Sequence, residues 1–175
     1  MSHKTLISSK KRLIIAAVLM IIITAAAVLI SNLSTPYLVM YVSDTNTRYI
    51  TQKADEGLMF SVEFIHSVNQ TPLKDTYIIE NGQIRAYSTT YRSFGAGVQT
   101  ALDEGQKMTY DENGNMVITG FDITYDPLRY IVGTVSDHIL TINDNEISLR
   151  DLCGRNAKVV FEIVTPLEIL TKGLL

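Results

Sequence analysis

The stretch "FSVEFIHSVNQTPLKDTYIIENGQIRAYSTTYRSFGAG", Phe60 to Gly97, decides the fold. Apolar and polar residues alternate through Met59 to His66, Thr76 to Glu80 and Gln83 to Thr90, the period of strands with one buried face. Between the last two runs, Asn81-Gly82 tolerates positive φ at both central positions of a type I′ turn and so predicts a two-residue hairpin. From that turn the register follows: Glu80 opposite Gln83, Ile79 opposite Ile84, Tyr77 opposite Ala86, Asp75 opposite Ser88. Setting Val62 opposite Ile79 on the other side brings Phe64 to Tyr77 and His66 to Asp75, and one face stays apolar throughout. His66, Asp75 and Ser88 are then expected in a row at one end of three strands.

Further runs of the same kind occupy Tyr37 to Val42, Arg48 to Lys53, Met116 to Thr119, Tyr130 to Gly133, His138 to Ile142, Ile147 to Leu149 and Lys158 to Val164. So many short strands, with no long helical period among them, predict an all-β domain over residues 37–175: an antiparallel β-sandwich or partly open barrel. "DENGN" at Asp111 to Asn115 and "NDN" at Asn143 to Asn145 supply turns between strands. The first of these also offers oxygen ligands, but without the spacing and distal glutamate of a calcium-binding EF-hand loop it reads as a turn.

Upstream, "LIIAAVLMIIITAAAVLI" from Leu13 to Ile30 is apolar except for Thr24. As a helix it would be about 27 Å long, close to the thickness of a bilayer core. The chain thus divides into a basic tail (1–12), a transmembrane anchor (13–30), a polar tether (31–36) and the β-domain. Lys4, Lys10, Lys11 and Arg12 precede the apolar run, which puts the N-terminus in the cytoplasm and the domain outside the cell membrane. A cleaved signal peptide is the alternative, since Ala25-Ala26-Ala27 fits a small-x-small cleavage site and cutting there would release a secreted domain. Beyond the apolar run, the remaining 11 basic residues face all 18 acidic ones, a net −7 that speaks against nucleic-acid partners. The single cysteine, Cys153, leaves no intrachain disulfide to stabilise an exported fold.

A serine, a histidine and an aspartate in one row suggest a hydrolase, but the imidazole must stand between the other two to relay a proton. Here Asp75 is expected in the middle, with Ser88 about 10 Å from His66, while Ser67 points to the opposite face of a regular strand. Asp75 would instead fix the tautomer of His66. "SFGAG", Ser93 to Gly97, can gather backbone N–H groups into an anion-binding nest or simply end a strand. No metal-ligand set and no nucleotide-binding glycine motif is apparent, and no cofactor is expected. The candidate ligand- or partner-binding set is His66, Ser67, Asp75, Ser88, Ser93, Gly95, Ala96 and Gly97.

"FIHSV", then Pro72, Asp75, the hairpin and "SFGAG", resembles the small exported proteins grouped as domain of unknown function 1850, over about Tyr37 to Val164. Asp75 stands where that family usually has glutamate, and Val98-Gln99 where an apolar residue and proline are common. The resemblance implies association with TRAP transporters of the TAXI type, with the permease or the exported solute-binding protein as partner. The expected function is a membrane-anchored extracytoplasmic accessory or binding domain without catalysis. The alternative is an exported hydrolase or other enzyme centred on His66 and Ser67. Mass measurement of the membrane-associated protein tests the anchor: an intact N-terminus is expected, and a chain beginning at Val28 would show a cleaved signal peptide instead.

Overall fold

The computed structural model describes residues 9–67, 70–92 and 101–174. Helix α1 (Ser9–Ser34) is apolar, buries no residue and is long enough to cross a bilayer, as an anchor or a signal sequence would be. It overruns the expected tether. Ser31 to Ser34 remain helical, the Thr35 hydroxyl donates to the Ser31 carbonyl, and only Thr35 and Pro36 separate α1 from the first strand. Proline restricts the residue before it and cannot donate to the preceding turn, which ends the helix there.

Two antiparallel sheets follow. The first contains β1 (Tyr37–Val42), β2 (Thr47–Lys53), β9 (Leu128–Ile131) and β12 (Lys158–Val164), in the order β2-β1-β12-β9. The second contains β3 (Met59–Ile65), β4 (Pro72–Glu80), β5 (Gln83–Tyr91), β6 (Lys107–Tyr110), β7 (Met116–Thr119), β10 (His138–Ile142) and β11 (Asn145–Ser148), in the order β11-β10-β3-β4-β5-β7-β6. The two-residue strand β8 (Thr124–Tyr125) also pairs with β5. The architecture is a sandwich and not a closed barrel. Strands β6 and β8, and the short helices α2 (Leu149–Cys153) and α3 (Pro166–Thr171), are additions to the elements expected from the sequence. Both helices are set by caps: Ser148 accepts from the Asp151 N–H, and Thr165 with Glu168 forms a full capping box ahead of Pro166.

Alternation dictates which side chains meet. Leu38, Met40 and Val42 of β1 and Val159 and Phe161 of β12 face Phe60, Val62, Tyr77, Ile79, Ile84, Leu140 and Ile142 of the larger sheet. Phe60 stacks on Phe161 across the sheets at 5.4 Å between ring centroids and lies 5.2 Å from Tyr77 beside it. The opposite side of β1 and β12 is covered as well, because Val39 and Val164 pack with Ile169 of α3 and with Leu174.

The Asn81-Gly82 hairpin forms as expected, with φ of 54° and 69°, and it pairs Glu80 with Gln83, Ile79 with Ile84 and Tyr77 with Ala86. Two other parts of the predicted register change. Between Thr76 and Tyr77 the pairing shifts, leaving Tyr87 as an extra residue, so Asp75 faces Thr89 and not Ser88. Strands β3 and β4 pair four residues away from the expected alignment: Val62 meets Asp75, Phe60 meets Tyr77 and Phe64 meets Leu73. An even shift keeps every side chain on its face, so burial is satisfied in both alignments. The observed one also carries the ladder into the turn, where the His66 N–H donates to the Thr71 carbonyl and the Gln70 N–H to the His66 carbonyl.

Phe161, 1% exposed at the centre of this packing, is the side chain whose removal should be felt most. Phe161→Ala is expected to cost about 3–5 kcal/mol in urea unfolding of the full chain in micelles, against about 0.5 or less for Ile131→Ala on the exposed edge. Equal effects would mean that the two sheets do not pack through this ring.

Candidate functional site

His66 and Ser67 follow directly on the end of β3, in the connection to β4. Ser67 is exposed, and its carbonyl accepts from the Gln70 side-chain amide at 2.5 Å. Beside them lies an open cavity of about 340 Å³, lined by Phe64, Ile65, His66 and Ser67 on one side and by Gly133 to Ser136 with His138 on the other. The second wall reaches the turn because β10 pairs with β3, which sets His138 opposite Phe64. The two rings stack at 4.7 Å between centroids.

The 133–137 loop is held from three directions. The Ser136 hydroxyl donates to the Ile65 carbonyl at 3.1 Å, tying the loop to the end of β3. The Arg150 guanidinium donates to the Val135 carbonyl at 2.9 Å. Asp137 accepts from the Arg150 N–H, the His138 N–H and the Ser148 hydroxyl, which fastens the loop to the start of α2. Burial acts to raise its carboxyl, but these donors prevail and keep it below the ordinary carboxylate value. Gly133 cannot be replaced without a shift: a Cβ there would stand 2.3 Å from the Ser136 carbonyl oxygen.

His138 closes the loop on itself, because its Nδ1 accepts the Gly133 N–H at 3.1 Å. The neutral ring therefore carries its proton on Nε2. Burial pushes its pKa below the ordinary 6.5, with Asp137 opposing and Arg150 assisting. The folded protein then binds fewer protons than the unfolded chain in this range. The stability that His138 contributes is complete above about 6.5 and is lost as pH falls towards the folded value.

Asp75 lies on the inner face of β4, next to this cavity wall. Its Oδ1 accepts the Thr89 hydroxyl at 2.8 Å and its Oδ2 accepts the Tyr130 hydroxyl, from the opposite sheet, at 3.1 Å. With the Tyr130 proton committed to Asp75, Tyr77 donates to the Tyr130 oxygen at 2.5 Å. Burial and the neighbouring carboxylate hold both phenols well above 10.0, so each is a neutral donor. Burial also raises Asp75 above 3.8, against the pull of its two hydrogen bonds.

The expected row of His66, Asp75 and Ser88 is not assembled. Asp75 is opposite Val62, four residues and about 13 Å along the strand from His66, and it does not meet the imidazole. Ser88 is opposite Thr76, on the outer face of the sheet, while Asp75 faces inward. Ser93, Gly95, Ala96 and Gly97 lie outside the described residues. Sequence reasoning missed His138, Tyr130, Thr89 and the 133–137 loop, since some seventy positions separate His138 from His66. "DHILTI" has the same alternation as β3, which marks it as a candidate neighbour but does not specify the pairing.

"DENGN" is a turn in the structure, with Asp111 Oδ1 accepting from the Asn113 and Asn115 N–H groups and Oδ2 from the Asn115 amide.

An apolar N-terminal helix followed by an antiparallel sandwich, with a cavity between a histidine turn and a braced loop, defines the class of protein. Residues 60–149, just over half of the chain, match the sequence profile described as Domain of unknown function (DUF1850), and the chain belongs to that family. The matched span runs from β3 to the start of α2 and includes His66, Asp75, Tyr130 and His138. No curated protein and no solved structure matches the chain.

Because the Asp75 carboxyl is raised in the folded state, its contribution to stability is greatest below about 3.8 and is lost as pH rises through the folded value. Asp75→Asn keeps an oxygen for Tyr130 and removes that loss. Urea unfolding between about pH 3 and 7 should therefore show the variant gaining on wild type as pH rises. A difference independent of pH would mean that this carboxylate is not desolvated.

Proposed function

We propose that the protein is a membrane-anchored extracytoplasmic accessory domain, without catalysis of its own, that docks a TAXI-type TRAP transporter through the turn carrying His66 and Ser67. Its partner at that turn is the exported solute-binding protein and not the permease. One observation carries this choice: the turn and its cavity lie at the end of the sandwich away from α1. Tyr37, three residues after the end of α1, pairs with Val164, whereas Tyr130 pairs with Val159, five residues and about 17 Å further along β12. Tyr130 in turn packs against Phe64 and His138 of the cavity wall. A soluble partner outside the membrane can reach that end more readily than a protein embedded in it.

The transporter association itself rests on the family resemblance. Tethering supports it physically, since a domain and a transporter held in one membrane have a raised effective concentration, and an interface of about 1,000 Å² suffices. Val135, 93% exposed at the cavity mouth, and Ser67 beside it supply a contact area on a loop already braced for binding.

Co-purification from gently solubilised membranes tests the reading, comparing wild type with a Ser67→Arg, Val135→Arg variant of matched thermal stability. Wild type is expected to recover the solute-binding protein and the variant to lose most of it. Equal recovery with both would remove this surface, and recovery of the permease alone would move the contact to the membrane side.

A further inference from the structure

Helix α3 begins two residues after Val164, which pairs with Tyr37, so it emerges at the end of the sandwich nearest α1. It also approaches α1 directly, with Cα atoms of the two helices within 8 Å. Ile169 faces inward onto Val39 and Val164. Leu167 and Leu170, three residues apart and so on a common side of the helix, are instead 56% and 74% exposed. Neither leucine belongs to the packed core around Ile169.

Their position explains them. Residues Ser31 to Ser34 extend α1 by about 6 Å beyond its apolar run, and Thr35 and Pro36 add at most about 7 Å before β1 begins. The headgroup layer on one side of a bilayer is about 5–8 Å deep. A helix beside this end of α1 therefore stands at the depth of the headgroups. Nearby, Lys172 is held by Glu162 at 2.5 Å, and Lys53, at the end of β2 opposite Tyr37, pairs with Asp55.

We infer that α3 is a membrane-contact element: Leu167 and Leu170 enter the headgroup and acyl boundary of the outer leaflet beside α1 and fix the domain upright on the bilayer. This rests on α1 remaining as the anchor. The partner surface is the lipid itself, and it is continuous with the membrane-spanning helix. With α3 seated, the sandwich has two points of attachment, and the end carrying His66 and Ser67 is directed away from the membrane.

The chain contains no tryptophan, so single substitutions give unambiguous fluorescence reporters. Leu170→Trp, Met20→Trp and Tyr110→Trp can each be placed in the full chain and reconstituted into phosphatidylcholine and phosphatidylglycerol vesicles with brominated acyl chains. Met20 lies within the apolar run. Tyr110, 64% exposed, is aligned through β7 and β5 with Leu73 at the far end of the larger sheet. The inference requires the emission of the Leu170→Trp chain to be blue-shifted and quenched several-fold more than that of Tyr110→Trp, though less than that of Met20→Trp. Quenching of Met20→Trp with Leu170→Trp no more affected than Tyr110→Trp would overturn it while leaving the anchor in place. If the Met20→Trp chain is not quenched either, the anchor itself fails and this inference fails with it.

Discussion

The stacking of Phe60 on Phe161 is the contact on which the sandwich depends. Through the middle of the sandwich each sheet buries its apolar side chains against the other, and these two rings meet between them. Tyr77 continues the aromatic packing beside them, and its hydroxyl reaches Tyr130. At that point the core changes character. The hydroxyl chain from Tyr77 through Tyr130 to Asp75 joins the two sheets by hydrogen bonds where aromatic packing gives way to the cavity margin. Both carboxylate oxygens are satisfied by neutral donors, which makes the burial of Asp75 tolerable without an ion pair.

Most of the architecture was legible because it is local. Alternation and the Asn81-Gly82 turn suffice to fix β4 and β5 near the hairpin, and the apolar run before Thr35 reads directly as a helix able to cross a bilayer. Further from the turn the information thins. The extra residue at Tyr87 has no composition signal, yet it moves Thr89 into the place expected for Ser88. The four-residue displacement of β3 leaves the faces unchanged, so the hydrophobic pattern that excluded a one-residue slip could not exclude this one. Backbone hydrogen bonds at both ends of the pairing, from the His66 N–H to the Thr71 carbonyl and from the Ile79 N–H to the Leu58 carbonyl, distinguish the alignments.

The site was harder still, because its second wall is assembled from a distant part of the chain. His138 comes beside Phe64 through a strand pairing that a single sequence does not encode in any local signal. Once the pairing exists, the remaining geometry follows from ordinary chemistry. A glycine permits the close approach to Ser136, the Gly133 N–H needs an acceptor and finds Nδ1 of His138, and Asp137 gathers donors at the start of α2. Much of the entropy cost of ordering that loop is met on folding, so the cavity wall is a shaped surface.

The strand order has a consequence at high local density. Domains crowded side by side meet repeatedly, and exposed strand edges could then zip together into sheets running between molecules. The outer strands are poor templates for this. Pro127 precedes β9, which has only four residues, Lys107 opens the equally short β6, and β2 carries Arg48 and Lys53 along a ladder broken between Met40 and Tyr41. Short length, charge and a broken ladder each disfavour edge-to-edge association, so high local density of the domain need not become aggregation.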